Sequence, residues 1–169
     1  MRVAMKQPTA KKRSIRVLGI DPGFDRLGLA VVEGDPSKPT VVWSACVTPA
    51  KGPLHLRLAA VSFAVESALT TYAPGAVVLE TLFFSKNKKT ALAVAEARGA
   101  ILAVIGKTDI PVIETSPAAI KIAVTGHGSA DKASVIRMIP RLVALPPKKR
   151  LDDEFDAIAA AITGLSSLR

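Results

Sequence analysis

Five carboxylates in this chain stand where a carboxylate is costly or crowded. Asp21 ends the run Val17-Leu18-Gly19-Ile20-Asp21-Pro22-Gly23, and Glu80 ends Ala76-Val77-Val78-Leu79-Glu80. Asp152, Asp153 and Asp156 share the acidic window Asp152-Asp153-Glu154-Phe155-Asp156. An ionised carboxylate taken out of water needs a cation or a hydrogen-bond network to compensate it. Several that meet in one pocket repel each other unless hard divalent ions with oxygen ligands, Mg²⁺ or Mn²⁺, lie among them. Two such ions ~3.5 to 4 Å apart can activate a water and stabilise the leaving oxygen of a phosphodiester. Each residue also has a plainer reading. Asp before Pro-Gly is ordinary turn chemistry, and acids in the first turn of a helix offset its dipole.

The elements that must bring these groups together follow from periodicity. Alternation sets Val17, Gly19 and Asp21 on one face of a first strand. Leu27 to Val32 and the β-branched run Thr40 to Val47 give two more strands in an antiparallel meander. Leu58, Val61, Val65 and Leu69 recur at helical spacing between Leu54 and Tyr72, with Pro53 suited to the first turn and Pro74-Gly75 as the stop. A strand arriving after a helix joins the sheet in parallel, so the strand ending at Glu80 can lie beside the one ending at Asp21. A long helix follows over about Thr90 to Ile105, then a short strand Pro111 to Glu114. Next comes a helix capped by Ser116 that ends near Gly126. Ser129 can cap the next helix, and Pro140 with Pro146-Pro147 separates it from a last helix over Leu151 to Leu168, whose buried stripe is Phe155, Ile158, Ala159 and Ile162. The fold expected is α/β: a mixed sheet of three antiparallel and two parallel strands flanked by helices. If the last helix lays its first turn over the two strand ends, Asp21, Glu80, Asp153 and Asp156 converge. Spacing accepts Asp152 with Asp156 equally well, because residues four apart share a side as readily as residues three apart.

With 169 residues and 49% hydrophobic content, the chain suits one domain with a real core over 16–169. No apolar run reaches the length of a membrane span, since Ala91 to Ile105 is broken by Glu96 and Arg98. One cysteine, Cys46, leaves no intramolecular disulfide and fits a reducing cytoplasm. The formal charge is +9, but Arg2, Lys6, Lys11, Lys12, Arg13 and Arg16 all precede the first acid, leaving 17 basic against 14 acidic side chains beyond them. Residues 1–15 therefore read as a flexible basic arm, suited to phosphate contact and equally to a solubilising tail, without the apolar core of a secretory signal. Thr81-Leu82-Phe83-Phe84-Ser85-Lys86-Asn87-Lys88-Lys89 is aromatic and then basic, and it follows directly on Glu80. His127, between two glycines, and His55 are expected at the surface.

Taken together, these segments resemble the RuvC-type Holliday-junction resolvases of the RNase H-like nuclease superfamily. The resemblance rests on Gly19-Ile20-Asp21-Pro22-Gly23, Glu80 with Phe83, Ser85-Lys86-Asn87, Ala97-Arg98-Gly99, Gly126 to Lys132, and Asp153 to Thr163, in that order. It implies an RNase H-like five-stranded sheet, and an endonuclease that resolves four-way DNA junctions in recombination and repair by paired, metal-dependent hydrolysis. It assigns the metal-binding carboxylates to Asp21, Glu80, Asp153 and Asp156, holding Mg²⁺ or Mn²⁺, two ions per site. Lys121 and Lys132 match basic residues near the scissile backbone. Phe83 matches an aromatic that stacks on bases at the junction centre, and Lys86, Lys88 and Lys89 would touch DNA beside it. A homodimer with the Thr90 to Ile105 helix near its two-fold, a branch-migration helicase complex as partner, and a cytoplasmic location are implied as well.

Other functions compete. Gly-Ile-Asp-Pro-Gly also resembles the phosphate loop of actin-like sugar kinases, which need two such lobes where 169 residues supply one. A non-catalytic branched-DNA binder gains nothing from clustered carboxylates beside DNA. An RNase H-like nuclease for another substrate, such as an RNA–DNA hybrid, shares the same acidic site.

Overall fold

The computed structural model describes residues 14–82 and 88–168, leaving aside the side chains of Lys88 and Lys89. The basic stretch 1–13, Phe83 and Lys86 lie outside the described residues. Three strands open the chain, β1 (Arg16–Asp21), β2 (Leu27–Glu33) and β3 (Thr40–Val47). They pair antiparallel, with Asp21 opposite Gly28 in the first register. Helix α1 (Leu54–Tyr72) carries the chain across to β4 (Ala76–Glu80), and α2 (Lys88–Ile105) to β5 (Val112–Thr115); both strands run parallel to β1. The sheet order is β3-β2-β1-β4-β5. Helices α3 (Pro117–Thr125), α4 (Lys132–Leu142) and α5 (Asp152–Ser167) complete the chain.

Strand alternation sorts the side chains into two cores. Leu18, Ile20, Leu29, Val77 and Leu79 pack with Val61, Val65 and Leu69 of α1 and Ile101 and Ile105 of α2. Val17, Ala30, Val32 and Val78 face the opposite way, against α3, α4 and α5. Asp21 and Glu80 share the parity of Val17 and Val78, so both carboxylates belong to the α5 side. Ile20 pairs with Leu79, which puts the next residues, Asp21 and Glu80, abreast at neighbouring strand ends.

The last helix departs from the expected single stripe. Residues 157–162, Gly164 and Leu165 are all buried, because α5 lies between the sheet and the α3–α4 pair rather than on the surface. Its close approach depends on glycine. A Cβ on Gly19 would stand 2.1 Å from the Ala157 carbonyl oxygen, and one on Gly28 would stand 2.0 Å from that of Asp153. Two boundaries also differ from expectation. Asp131, not Ser129, caps α4, its carboxylate accepting the Ser134 N–H at 2.7 Å. The Ala130 N–H is occupied in a turn onto the His127 carbonyl, which leaves Ser129 two positions too early. Pro140 lies within α4 instead of ending it. Its missing N–H costs one helical bond, and burial of Ile139 and packing of Leu142 into the core offset that loss.

Within the acidic window, Glu154 is a structural member. It is 4% exposed, accepts from Ser44 Oγ at 2.7 Å and Lys148 Nζ at 2.8 Å, and takes the Leu151 N–H at 3.3 Å. Burial works to raise its pKa, but these donors outweigh it and hold the carboxyl below its ordinary value. The network ties the start of α5 to β3. Glu154→Gln is expected to cost about 1 to 3 kcal/mol of folding stability, the scale of a lost charge-assisted hydrogen bond. Urea unfolding with an unchanged slope would measure it.

Candidate active site

Pro22 and Gly23 end β1 immediately after Asp21, and β4 ends at Glu80, so both carboxylates stand where the sheet stops. The first turn of α5 comes down on this edge, held there by the Gly28 contact, which leaves 3.1 Å between a Cβ at residue 28 and the Asp21 Cβ. Asp153 projects from that turn and Asp156 from the start of the next. Asp152, one step round the helix, has a side chain 63% exposed and among the described residues pairs only with Lys132, at 3.6 Å. Rotation of α5 about its axis thus separates three neighbouring acids into one outward (Asp152), one toward Asp21 (Asp153) and one into the core (Glu154).

The electrostatics record the gathering. Burial, then the charges of Asp156, Glu80 and Asp153, push Asp21 from its ordinary 3.8 up to about 8, with Lys132 pulling the other way. Burial and then Asp156 raise Glu80 to about 7, opposed by Lys121 and Lys132. Both strand-end carboxylates are therefore poorly compensated by the protein alone. Glu80, Asp156, Lys121 and Lys132 line one cleft of about 250 Å³, floored by Ile120, Val135 and Ala159. Lys132 Nζ lies 2.8 Å from Asp156. Lys88 and Lys89 belong to the first turn of α2, which begins two residues before the expected Thr90.

Sequence reasoning missed two neighbours of Asp153 and gave Arg98 no role. Arg26, in the turn between β1 and β2, pairs with Asp153, and Cys46 on β3 donates its thiol to the same Oδ2 at 3.7 Å. Gly28 leaves room for the Asp153 backbone beside Asp21. Arg98, in α2, reaches the Glu80 carbonyl oxygen at 3.4 Å and pairs with Glu114, tying the ends of β4 and β5 to that helix. Nothing in residue spacing marks Arg26 or Cys46 as partners of a residue more than a hundred positions away.

The donor set suits a hard divalent cation: carboxylate oxygens only, two of them raised in pKa by burial and mutual repulsion. Among the described residues, no three His, Cys, Asp or Glu side chains are drawn together as a ready-made metal cage. Asp153 and Asp156 instead meet Arg26 and Lys132, as like charges do when the nearest counter-ions are side chains.

A five-stranded mixed sheet of this order, with acids at the ends of its two central strands and a buried helix crossing them, defines an RNase H-like domain. The sequence profile described as crossover junction endodeoxyribonuclease RuvC matches residues 17–164. The chain belongs to this RuvC family of endodeoxyribonucleases. The RuvC of Thermomicrobium roseum is 41% identical over 148 residues, covering 88% of this chain and 91% of that protein. Thermus thermophilus RuvC superposes with a TM-score of 0.81 at 31% identity, over 91% of this chain and 96% of the other. The same protein in complex with a Holliday junction substrate gives 0.83 at 31% identity, over 90% and 94%.

Proposed function

We propose that this protein resolves four-way DNA junctions by metal-dependent hydrolysis, with Asp21, Glu80, Asp153 and Asp156 as the metal-holding carboxylates. One observation carries the reading. Two strand-end carboxylates lie abreast beneath the first turn of α5, and burial and mutual repulsion raise their pKa values to about 8 and about 7. A protein that used this surface only to bind DNA would be weakened by it. Bound Mg²⁺ or Mn²⁺, two ions per site, would supply an activated water and stabilise the leaving oxygen. Lys121 and Lys132 border the same cleft and offer ammonium groups to the phosphates of the strand being cut. The T. thermophilus complex with a Holliday junction supports a branched substrate for a chain alike in fold and family.

Finer parts of the reading rest on the family. Phe83 would stack on an exposed base at the junction centre, with Lys86, Lys88 and Lys89 on the flanking phosphates. A homodimer would present two sites to the two-fold junction. Leu92 on α2 and Phe63 on α1, 67% and 71% exposed, are apolar side chains a second copy would cover. A branch-migration helicase complex is the expected partner and the cytoplasm the expected location. No helix among the described residues is long and apolar enough to cross a membrane.

The deciding experiment incubates the protein with a synthetic four-way junction, linear duplex and RNA–DNA hybrid, each with Mg²⁺, Mn²⁺ or EDTA, and maps the nicks. Symmetric nicks near the crossover of the junction, lost in EDTA, are expected. Preferential cutting of the hybrid would assign the site to another RNase H-like activity. Binding of the junction without nicks would leave a DNA-binding protein.

A further inference from the structure

The two α5 carboxylates and the two strand-end carboxylates are compensated differently. Asp156 has Lys132 and Asp153 has Arg26, whereas no ion pair reaches Asp21 or Glu80 among the described residues. Arg26 stands in the short turn that follows Asp21, and its guanidinium closes on Asp153 Oδ2, the oxygen that also accepts from Cys46. The Asp153 backbone has little freedom to withdraw, because its carbonyl lies against Gly28. Its side chain is 19% exposed while that of Arg26 is 45% exposed, so the arginine is the member of the pair with room to leave.

We propose that Arg26 is a positioning residue that exchanges partners. It holds Asp153 in the metal-free protein, yields that carboxylate when a divalent ion is taken up, and then pairs with a phosphodiester oxygen of the bound strand. The proposal rests on the metal-dependent reading of the site above. The exchange is chemically symmetrical for Arg26: a guanidinium presents the same fork of N–H donors to a carboxylate and to a phosphate. It is asymmetrical for Asp153, which moves from a single charge to a double one. A cation beside Asp153 also repels the guanidinium, so ion uptake and arginine release favour each other. Before uptake the arginine compensates Asp153, whose charge otherwise adds to those of Asp156 and Glu80 around Asp21. Arg26 therefore stabilises the empty site and raises the ion concentration needed to fill it.

Arg26→Gln separates these effects, the first two without DNA. Metal-free R26Q is expected to melt lower than wild type, by about 2 to 4 °C. Its Mn²⁺ dissociation constant, by calorimetry, is expected to fall about three- to tenfold as the competing charge disappears. Junction binding in Ca²⁺ should lose about one phosphate contact from its salt dependence. R26K, which keeps the charge and loses the fork, should restore wild-type Mn²⁺ affinity and only part of the DNA contact. Equal or weaker Mn²⁺ binding by R26Q would overturn the exchange. Failure of the wild-type chain itself to take up Mn²⁺ would instead bring down the metal-dependent reading.

Discussion

Asp21→Asn is expected to abolish junction cleavage while making the metal-free protein more stable, a combination that a purely structural aspartate would not give. The loss should be about 10³-fold or more in single-turnover rate, the scale on which removing a preorganised electrostatic contact to a reacting group is felt. Junction affinity should hold or tighten, since the substitution removes one negative charge from the site proposed to meet the DNA. The gain in stability follows from linkage. The carboxyl of Asp21 titrates near 8 in the folded chain against an ordinary 3.8, so folding is favoured while the group is protonated. That contribution is complete below about pH 4 and is lost as pH rises toward 8; Glu80, raised to about 7, follows the same sign over a narrower window. In metal-free buffer the wild-type melting temperature should therefore decline between pH 5 and pH 8, and D21N should flatten the decline. Added Mg²⁺ or Mn²⁺ needs the ionised forms, so it should stabilise wild type increasingly with pH and release protons on binding. A D21N chain that melts below wild type at pH 8 without metal would show that Asp21 is held by contacts rather than strained by its neighbours.

Gly28→Ala is the second large effect, and it reaches the site through shape alone. The added methyl would meet the Asp153 carbonyl oxygen at 2.0 Å and the Asp21 Cβ at 3.1 Å. The carbonyl belongs to the backbone at the first turn of α5, so that turn must rise. Overpacking of this kind costs roughly 1 to 3 kcal/mol. Displacing Asp153 and Asp156 by about 1 Å should slow cleavage by about 10²-fold or more. The Mn²⁺ affinity should fall with the rate, which distinguishes a displaced site from a lost DNA contact. Gly19→Ala, whose methyl would meet the Ala157 carbonyl at 2.1 Å near the middle of the crossing, should instead damage folding more than it selectively damages the site.

These predictions depend on features of unequal legibility. Strand and helix periodicity place β3, α1 and β4 over 40–47, 54–72 and 76–80, as the structure has them. Local capping fails where two acceptors compete, as at Ser129 and Asp131, because the winner depends on the turn that precedes it. The expected stripe on α5 understates its burial, since a helix rich in alanine shows little contrast between faces even when every face is covered.

The sequence by itself determined that Asp21 and Glu80 each end an apolar strand, and that more acids open a later helix. Both facts are local, set by the two-residue period of a strand and by composition. Only the tertiary structure decided the rotation of α5, and with it that Asp153 faces Asp21, Asp152 faces solvent and Glu154 enters the core beside Ser44. Three acids within one helical turn differ only by an angle, and backbone contact at Gly19 and Gly28 fixes that angle. The meeting of Arg26 and Cys46 with Asp153 is of the same kind: a consequence of packing between distant segments, which no local pattern encodes.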